Sequence, residues 1–111
     1  MLGQIKSINE SINTLEEIKK DINANNFVEA INGILRVKTF LKNLSTEQKK
    51  SNQLSSIQKS TLDYIIKDII PSLQNFMSKR NQPEIPIKKE EILRILAYIT
   101  DQIKGIRVTL R

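Results

Sequence analysis

Aliphatic side chains recur every three or four residues in the first and last quarters of the chain. The N-terminal set comprises Ile5, Ile8, Ile12, Leu15, Ile18 and Ile22. The C-terminal set comprises Ile92, Leu96, Ile99, Ile103, Ile106 and Leu110. This spacing places each set along one stripe of an α-helix. Because such a stripe must be packed against other helices, the pattern predicts a helical bundle.

The same reading extended along the chain predicts four helices in one all-α domain covering residues 1–111. Their expected bounds are about Gln4–Asn23, Phe27–Leu44, Leu54–Ser78 and Lys88–Leu110. The connections between the first three helices are short, which favours antiparallel neighbours. The predicted fold is therefore an antiparallel, up-down-up-down four-helix bundle. A chain of 111 residues is long enough for one such core and too short for two.

The second predicted helix begins after a turn rich in asparagine. Asn26 followed by Glu29 has the spacing of a capping box, in which each side chain accepts a bond from a backbone N–H of the first turn. The buried stripe is expected to comprise Phe27, Ala30, Ile31, Ile34, Val37, Leu41 and Leu44. Gly33 lies inside this helix, where glycine costs about 1 kcal/mol relative to alanine. Its presence indicates either a tolerated weakness or a close approach of two helices.

The stretch after Leu44 leaves two interpretations open. Ser45 with Gln48 resembles a second capping box, so a helix could restart at Thr46, but residues 48–56 are polar and could form a loop. The third helix is expected to bury Leu62, Ile65, Ile69, Leu73 and Phe76, with Ile66, Ile70 and Met77 widening that face.

Proline punctuates the second half of the chain. Pro71 lies within the third predicted helix, where it predicts a kink or, alternatively, a break into two helices. Residues 81–86 contain two prolines two positions apart and are predicted to form a linker.

Composition excludes many chemistries. The chain has no histidine and no cysteine, so imidazole-based nucleophile pairs, histidine phosphotransfer, disulfides and zinc–thiolate sites are ruled out. No uncharged apolar run is long enough to span a membrane, and Lys6 and Glu10 interrupt the apolar stretch that a signal peptide would need. We expect no enzyme activity, no cofactor and no metal site.

Charge supplies the remaining signal. The formal net charge is +6, and the excess begins at the second helix, since residues 1–26 carry −1 and residues 27–50 carry +3. Two acidic pairs are also present, Glu16–Glu17 and Glu90–Glu91. Within each pair the two side chains point about 100° apart around the helix and do not converge on one site, so we interpret them as solvent-exposed charges.

Two basic clusters are candidates for partner docking. The first lies along the second helix and comprises Arg36, Lys38 and Lys42, followed by Lys49 and Lys50. The second shares a face near the C-terminus and comprises Lys104, Arg107 and Arg111. The residues expected to contact the partner are Arg36, Lys38, Lys42, Lys104 and Arg107. A basic excess favours an acidic protein surface, nucleic acid or anionic lipid as partner. The alternative is a merely solvated basic face, and few aromatic residues are present to stack on bases.

The second helix resembles a known family pattern. The residues concerned are Ile18, Ile22, Phe27, Asn32, Ile34, Lys38, Thr39, Phe40, Leu41 and Lys42. They are similar to the second helix of the PsbQ family, in which an aromatic residue, usually Trp, opens the helix and a Ser-Tyr-Leu-Arg segment follows. Here Phe27 stands where the Trp would be, and residues 39–42 fall on that segment.

This resemblance implies a function without catalysis. PsbQ proteins are extrinsic, four-helix subunits of photosystem II that support its calcium and chloride requirements in water oxidation. The sequence thus predicts a non-enzymatic accessory subunit docked on a larger complex with an acidic surface, in the thylakoid lumen if the resemblance holds and in the cytoplasm otherwise. The alternative is a small basic nucleic-acid-associated protein, or a phage or bacterial helical adaptor.

Overall fold

A computed structural model describes residues 2–78 and 89–111, and these form four helical rods. The first two are α1 (Leu2–Asn23) and α2 (Phe27–Ser51). The third rod is continuous and comprises α3 (Ser56–Tyr64), a π-helical segment (Ile65–Ile69) and α4 (Ile70–Ser78), and the fourth is α5 (Lys89–Leu110). The predicted all-α four-helix fold is confirmed, whereas the predicted linker over residues 81–86 lies outside the described residues.

Three side-chain contacts fix the directions of the rods. Gln48 near the end of α2 donates to Gln4 at the start of α1, so these two helices are antiparallel. Arg107 near the end of α5 donates to Asn9 in the first half of α1 at 3.0 Å. Gln58 at the start of α3 donates to Thr109 at the end of α5 at 2.7 Å. The topology is therefore up-down-up-down, as the short connections predicted.

The turn before α2 corrects one expectation. Asn26 occupies the N-cap position but makes no side-chain cap bond, so the predicted Asn26–Glu29 capping box is wrong. The Asn26 backbone N–H instead donates to the carbonyl of Asp21 at 2.8 Å. In a capping box that N–H would go to the side chain at Glu29. The preceding turn has thus taken the donor, with Asn25 in the left-handed region at φ 62°.

The end of α2 also differs from the sequence-based expectation. The helix continues past Leu44 to Ser51, so neither a restart at Thr46 nor a loop from Gln48 occurs. The reason is tertiary, because Gln48 is buried against α1 and its side-chain oxygen accepts from the backbone N–H groups of Gln53 and Leu54 at 2.9 and 3.1 Å. The polar residue holds the following turn in place, which composition alone could not indicate.

The third rod remains helical through Pro71, so the alternative of a break into two helices is wrong. A π turn precedes the proline, with the N–H of Ile70 donating to the carbonyl of Ile65, five residues back. Proline lacks an N–H and its ring crowds the carbonyl four residues earlier, and a π turn is a common way to accommodate such a distortion. At its start, Ser55 and Gln58 form a reciprocal capping box.

The π turn also changes which residues the third rod buries. An extra residue in one turn rotates the following part of the helix relative to the preceding part. Ile69 and Phe76, expected in the buried stripe, are therefore only half-buried. The buried residues of the rod are Leu62, Ile65, Ile66, Ile70, Leu73 and Met77.

Helices α1 and α2 pack most closely. A Cβ added at Gly33 would lie 2.5 Å from Cγ1 and 3.0 Å from Cδ1 of Ile18. A real Cβ does not come that close to a neighbouring carbon, so glycine is what lets the two helices approach. Of the two interpretations of Gly33, close helix approach is confirmed.

Candidate docking surface

Of the second-helix cluster expected from the sequence, Arg36 and Lys38 lie on a different part of the bundle from the C-terminal cluster. Helix α2 packs against α1 and the third rod, and α5 packs against α1, so Arg36 and Lys38 lie apart from Lys104 and Arg107. Arg36 is exposed and pairs with Glu17 of α1 at 3.6 Å. An exposed pair of this kind is worth about 0–1 kcal/mol, so it does not commit Arg36 to a structural role.

Arg107 is only partly exposed and makes contacts within the bundle. Its Nη1 donates to the side-chain oxygen of Asn9, and its Nε is buried without a hydrogen-bond partner in the described residues. The side chain thus ties α5 to α1. A structural role of this kind leaves it less free than Lys104 to contact a partner.

The antiparallel fold gathers other basic residues at one end of the bundle. We call this region, made of residues 2–12, 41–64 and 104–111, the basic end. The contacts between Gln4 and Gln48, Asn9 and Arg107, and Gln58 and Thr109 bring these three stretches together. Its basic residues are Lys6, Lys42, Lys49, Lys50, Lys59, Lys104, Arg107 and Arg111.

The charge of the basic end contrasts with that of the opposite half. Eight basic residues meet three acidic ones there, Glu10, Glu47 and Asp63, for a net charge of +5. The other described residues carry seven basic and eight acidic side chains, a net charge of −1. The charge of the described residues is therefore polarised along the long axis of the bundle, which measures 46 Å against 21 and 18 Å across.

The basic side chains at this end are available to solvent. Six of the eight are exposed, and Lys59 and Arg107 are partly exposed. The two ion pairs between described residues, Lys19–Glu16 and Arg36–Glu17, both lie in the other half. Lys59 instead contacts the side-chain oxygen of Asn52. Such a cluster of solvated positive charge attracts an anionic surface over a range of about 8–10 Å at physiological salt.

Sequence reasoning missed Lys6 and Lys59 as members of this cluster, since each is isolated on its own helix. The only signal that could have found them is the topology, because antiparallel helices bring the start of α1 and of α3 beside the ends of α2 and α5. Within the residues that the structure describes, no group of three acidic, histidine or cysteine side chains is placed to hold a metal ion. Nor is any helix there long and apolar enough to cross a membrane.

Comparisons of the chain with family models, curated proteins and solved structures found no match.

Proposed function

We propose that this chain is a non-enzymatic docking subunit that binds the acidic surface of a larger protein assembly through its basic end. The observation that carries the proposal is the net charge of +5 concentrated at one end of an otherwise nearly neutral bundle. Charge arranged in this way steers association and fixes the orientation of a partner. The low content of aromatic residues gives nucleic-acid stacking little support, which favours a protein surface.

The test compares two variants that reverse equal numbers of charges. One carries glutamate at Lys42, Lys49, Lys104 and Arg111 of the basic end. The matched control carries glutamate at Lys19, Lys20, Arg36 and Lys38 in the other half. Each full-length tagged chain is purified from the cells that make it, at low salt, and the co-purifying assembly is identified and quantified.

We expect the basic-end variant to lose the assembly and the control to retain it. Raising the salt to about 1 M, where the Debye length falls to about 3 Å, should release the native chain still folded. Equal recovery with both variants would reject the basic end as the docking surface. Because nucleic-acid binding is also weakened by salt, the discriminating treatment is nuclease at low salt, and release by nuclease would favour the alternative function, a nucleic-acid-associated protein.

The control also tests the second-helix cluster. If Arg36, Lys38 and Lys42 form the contact, as their succession along α2 first indicated, the control variant should lose the assembly as well. Of these three residues only Lys42 belongs to the basic end. The two surfaces therefore give different outcomes in the same experiment.

A finer identity rests on the resemblance of residues 18–42 to the PsbQ family. On that basis we propose photosystem II as the assembly and the thylakoid lumen as the compartment. Detection of the chain in thylakoid membranes, its release by high salt, and a fall in oxygen evolution after release would support this identity. Absence of the chain from photosynthetic membranes would remove the identity while leaving the docking proposal open to its own test.

A further inference from the structure

An open groove runs between the third rod and α5. It arises because the rod packs chiefly against α2 whereas α5 packs chiefly against α1, which leaves the seam between them poorly filled. The central part is a cleft of about 550 Å³. It is lined by Tyr64, Asp68, Ile69 and Ser72 from the rod and by Arg94, Ile95 and Tyr98 from α5.

Exposed apolar side chains concentrate along this seam. Six large hydrophobic residues are exposed in the described part of the chain, namely Val28, Leu35, Ile57, Tyr64, Tyr98 and Val108. Tyr64 and Tyr98 line the cleft itself. Ile57 and Val108 are the most exposed, at 79% and 68%, and they neighbour the Gln58–Thr109 hydrogen bond that joins the two walls.

Helix geometry places Ile57 and Val108 on the same side of the seam. Successive residues turn by about 100° around a helix axis. Ile57 precedes Gln58 by one residue, and Val108 precedes Thr109 by one residue. Because α3 and α5 are antiparallel, this equal step directs both side chains to the same side of the seam. Leu62 and Leu110 are buried on the core side, so Ile57 and Val108 lie together on the outer side. They form a second apolar patch at the basic end, separated from the cleft by Thr61 of the rod and by Asp101 and Gly105 of α5.

The length and charge of the seam indicate what kind of partner element would bind there. From Ile57 to Ser72 the rod rises about 22 Å at 1.5 Å per residue, the length of four helical turns. A channel between two helices matches the cylindrical shape of a third, as in helix-in-groove recognition. Asp68 and Arg94 balance each other at the cleft, whereas Lys104 and Arg111 accompany Val108 at the basic end.

We propose that this groove binds an amphipathic helix of the partner, with its apolar stripe in the seam and acidic residues over Lys104 and Arg111. The inference rests on the proposed docking function and names the element of the partner that is recognised. The basic end supplies orientation, and the four exposed apolar side chains supply the buried contact area. Neither a nucleic-acid backbone nor a flat bilayer would fill the cleft between Tyr64 and Tyr98.

The probe is a designed amphipathic peptide of about 16 residues, long enough to span the groove. It carries leucine every three or four residues, glutamate at one end, and one tryptophan, whose emission reports binding directly because the chain itself has none. One comparison peptide has the same composition in scrambled order. Another has lysine in place of the terminal glutamates.

Two groove variants, Tyr64→Ser with Tyr98→Ser and Ile57→Ser with Val108→Ser, are titrated beside the native chain. The matched control, Val28→Ser with Leu35→Ser, removes exposed apolar side chains from α2, outside the groove. Far-UV circular dichroism verifies that each variant is folded. We expect each groove variant to weaken binding by about tenfold or more, as truncation of central apolar anchors does, and the control to bind like the native chain. The scrambled and lysine peptides should bind at least about tenfold more weakly.

A fourth variant, Lys104→Glu with Arg111→Glu, separates the two proposals. If it loses binding while the groove variants keep native affinity, the groove inference is overturned and the docking function stands. If neither set weakens binding, or if the native chain binds no peptide, both the occupant and its orientation are wrong. Tighter binding to anionic lipid vesicles or to a DNA duplex than to the peptide also overturns the inference.

Discussion

Gly33→Ala tests the closest contact in the bundle, since two opposing effects act at that position. Alanine is the better helix former and should stabilise α2 by about 1 kcal/mol. The new methyl group, however, would lie 2.5 Å from Cγ1 of Ile18, which is itself fully buried in the core. Overpacking a well-filled core costs about 1–3 kcal/mol. We therefore expect the substitution to leave stability unchanged at best and to lower it by up to about 2 kcal/mol.

Gly105→Ala is the matched control. Gly105 also lies inside a helix, but it is exposed, and a Cβ added there meets no atom within 4 Å. Only the helix-propensity gain remains, so this variant should be more stable by about 1 kcal/mol. For a chain of this length, that corresponds to a rise of about 4 °C in Tm. Gly105→Ala should thus be stabilising and Gly33→Ala neutral or destabilising, although the chemical change is the same.

The assay is urea unfolding followed by far-UV circular dichroism, with a double-mutant cycle between residues 33 and 18. Ile18→Ala alone should cost about 2–5 kcal/mol, because it leaves a cavity between α1 and α2. In the Gly33→Ala background the same truncation removes the clash and part of the cavity is filled by the new methyl group. We expect a favourable coupling of about 0.5–3 kcal/mol. Equal stabilisation by Gly33→Ala and Gly105→Ala, with no coupling to Ile18, would refute the close approach.

Four further substitutions address other parts of the fold. Gln48→Ala should leave two buried polar groups without a hydrogen-bond partner, the side-chain oxygen of Gln4 and the N–H of Leu54. Each should lower the free energy of unfolding by about 1–3 kcal/mol, as measured by chemical unfolding. A loss no larger than that of an exposed glutamine would contradict this role. Ser55→Ala should cost about 1 kcal/mol because it removes a formed cap bond, whereas Asn26→Ala should cost only a few tenths, and equal losses in thermal melts would count against the assignment. Ile99→Ala should cost about 2–5 kcal/mol by creating a core cavity, and a loss under roughly 1 kcal/mol would mean that α5 contributes little to the core.

The fold class could be predicted because the core of this protein is encoded in local periodicity. All six apolar residues of the C-terminal stripe, from Ile92 to Leu110, are buried, as are Ile8, Ile12, Leu15, Ile18 and Ile22 of α1. An aliphatic stripe with a spacing of three or four residues has one low-energy arrangement, helical and packed on its neighbours. The absence of histidine and cysteine is equally a property of the sequence, and it limits the available chemistry whatever the fold.

The departures occur where a distant residue decides the local structure. The sequence predicts Gln48 to be a helix cap or part of a loop. In the structure it is buried and connects α2 with Gln4 and with the turn before α3. A polar side chain can be buried once its hydrogen bonds are satisfied. Pro71 is accommodated by a π turn, which moves Ile69 from the core to the wall of the groove. Neither outcome is visible in a pattern that considers one helix at a time.

The candidate surfaces also depend partly on the sequence alone and partly on the packing of the helices. The sequence by itself determined that the chain has a basic excess and that it begins at the second helix. Only the antiparallel packing decided that Lys6 and Lys59, each isolated in sequence, share one end with Lys49 and Lys104. Likewise, Ile57 and Val108 are 51 positions apart in sequence, and the Gln58–Thr109 hydrogen bond brings their helices together at one seam. Charge content is additive along a chain, whereas a surface is formed by whichever residues the topology brings together, and that depends on contacts between helices.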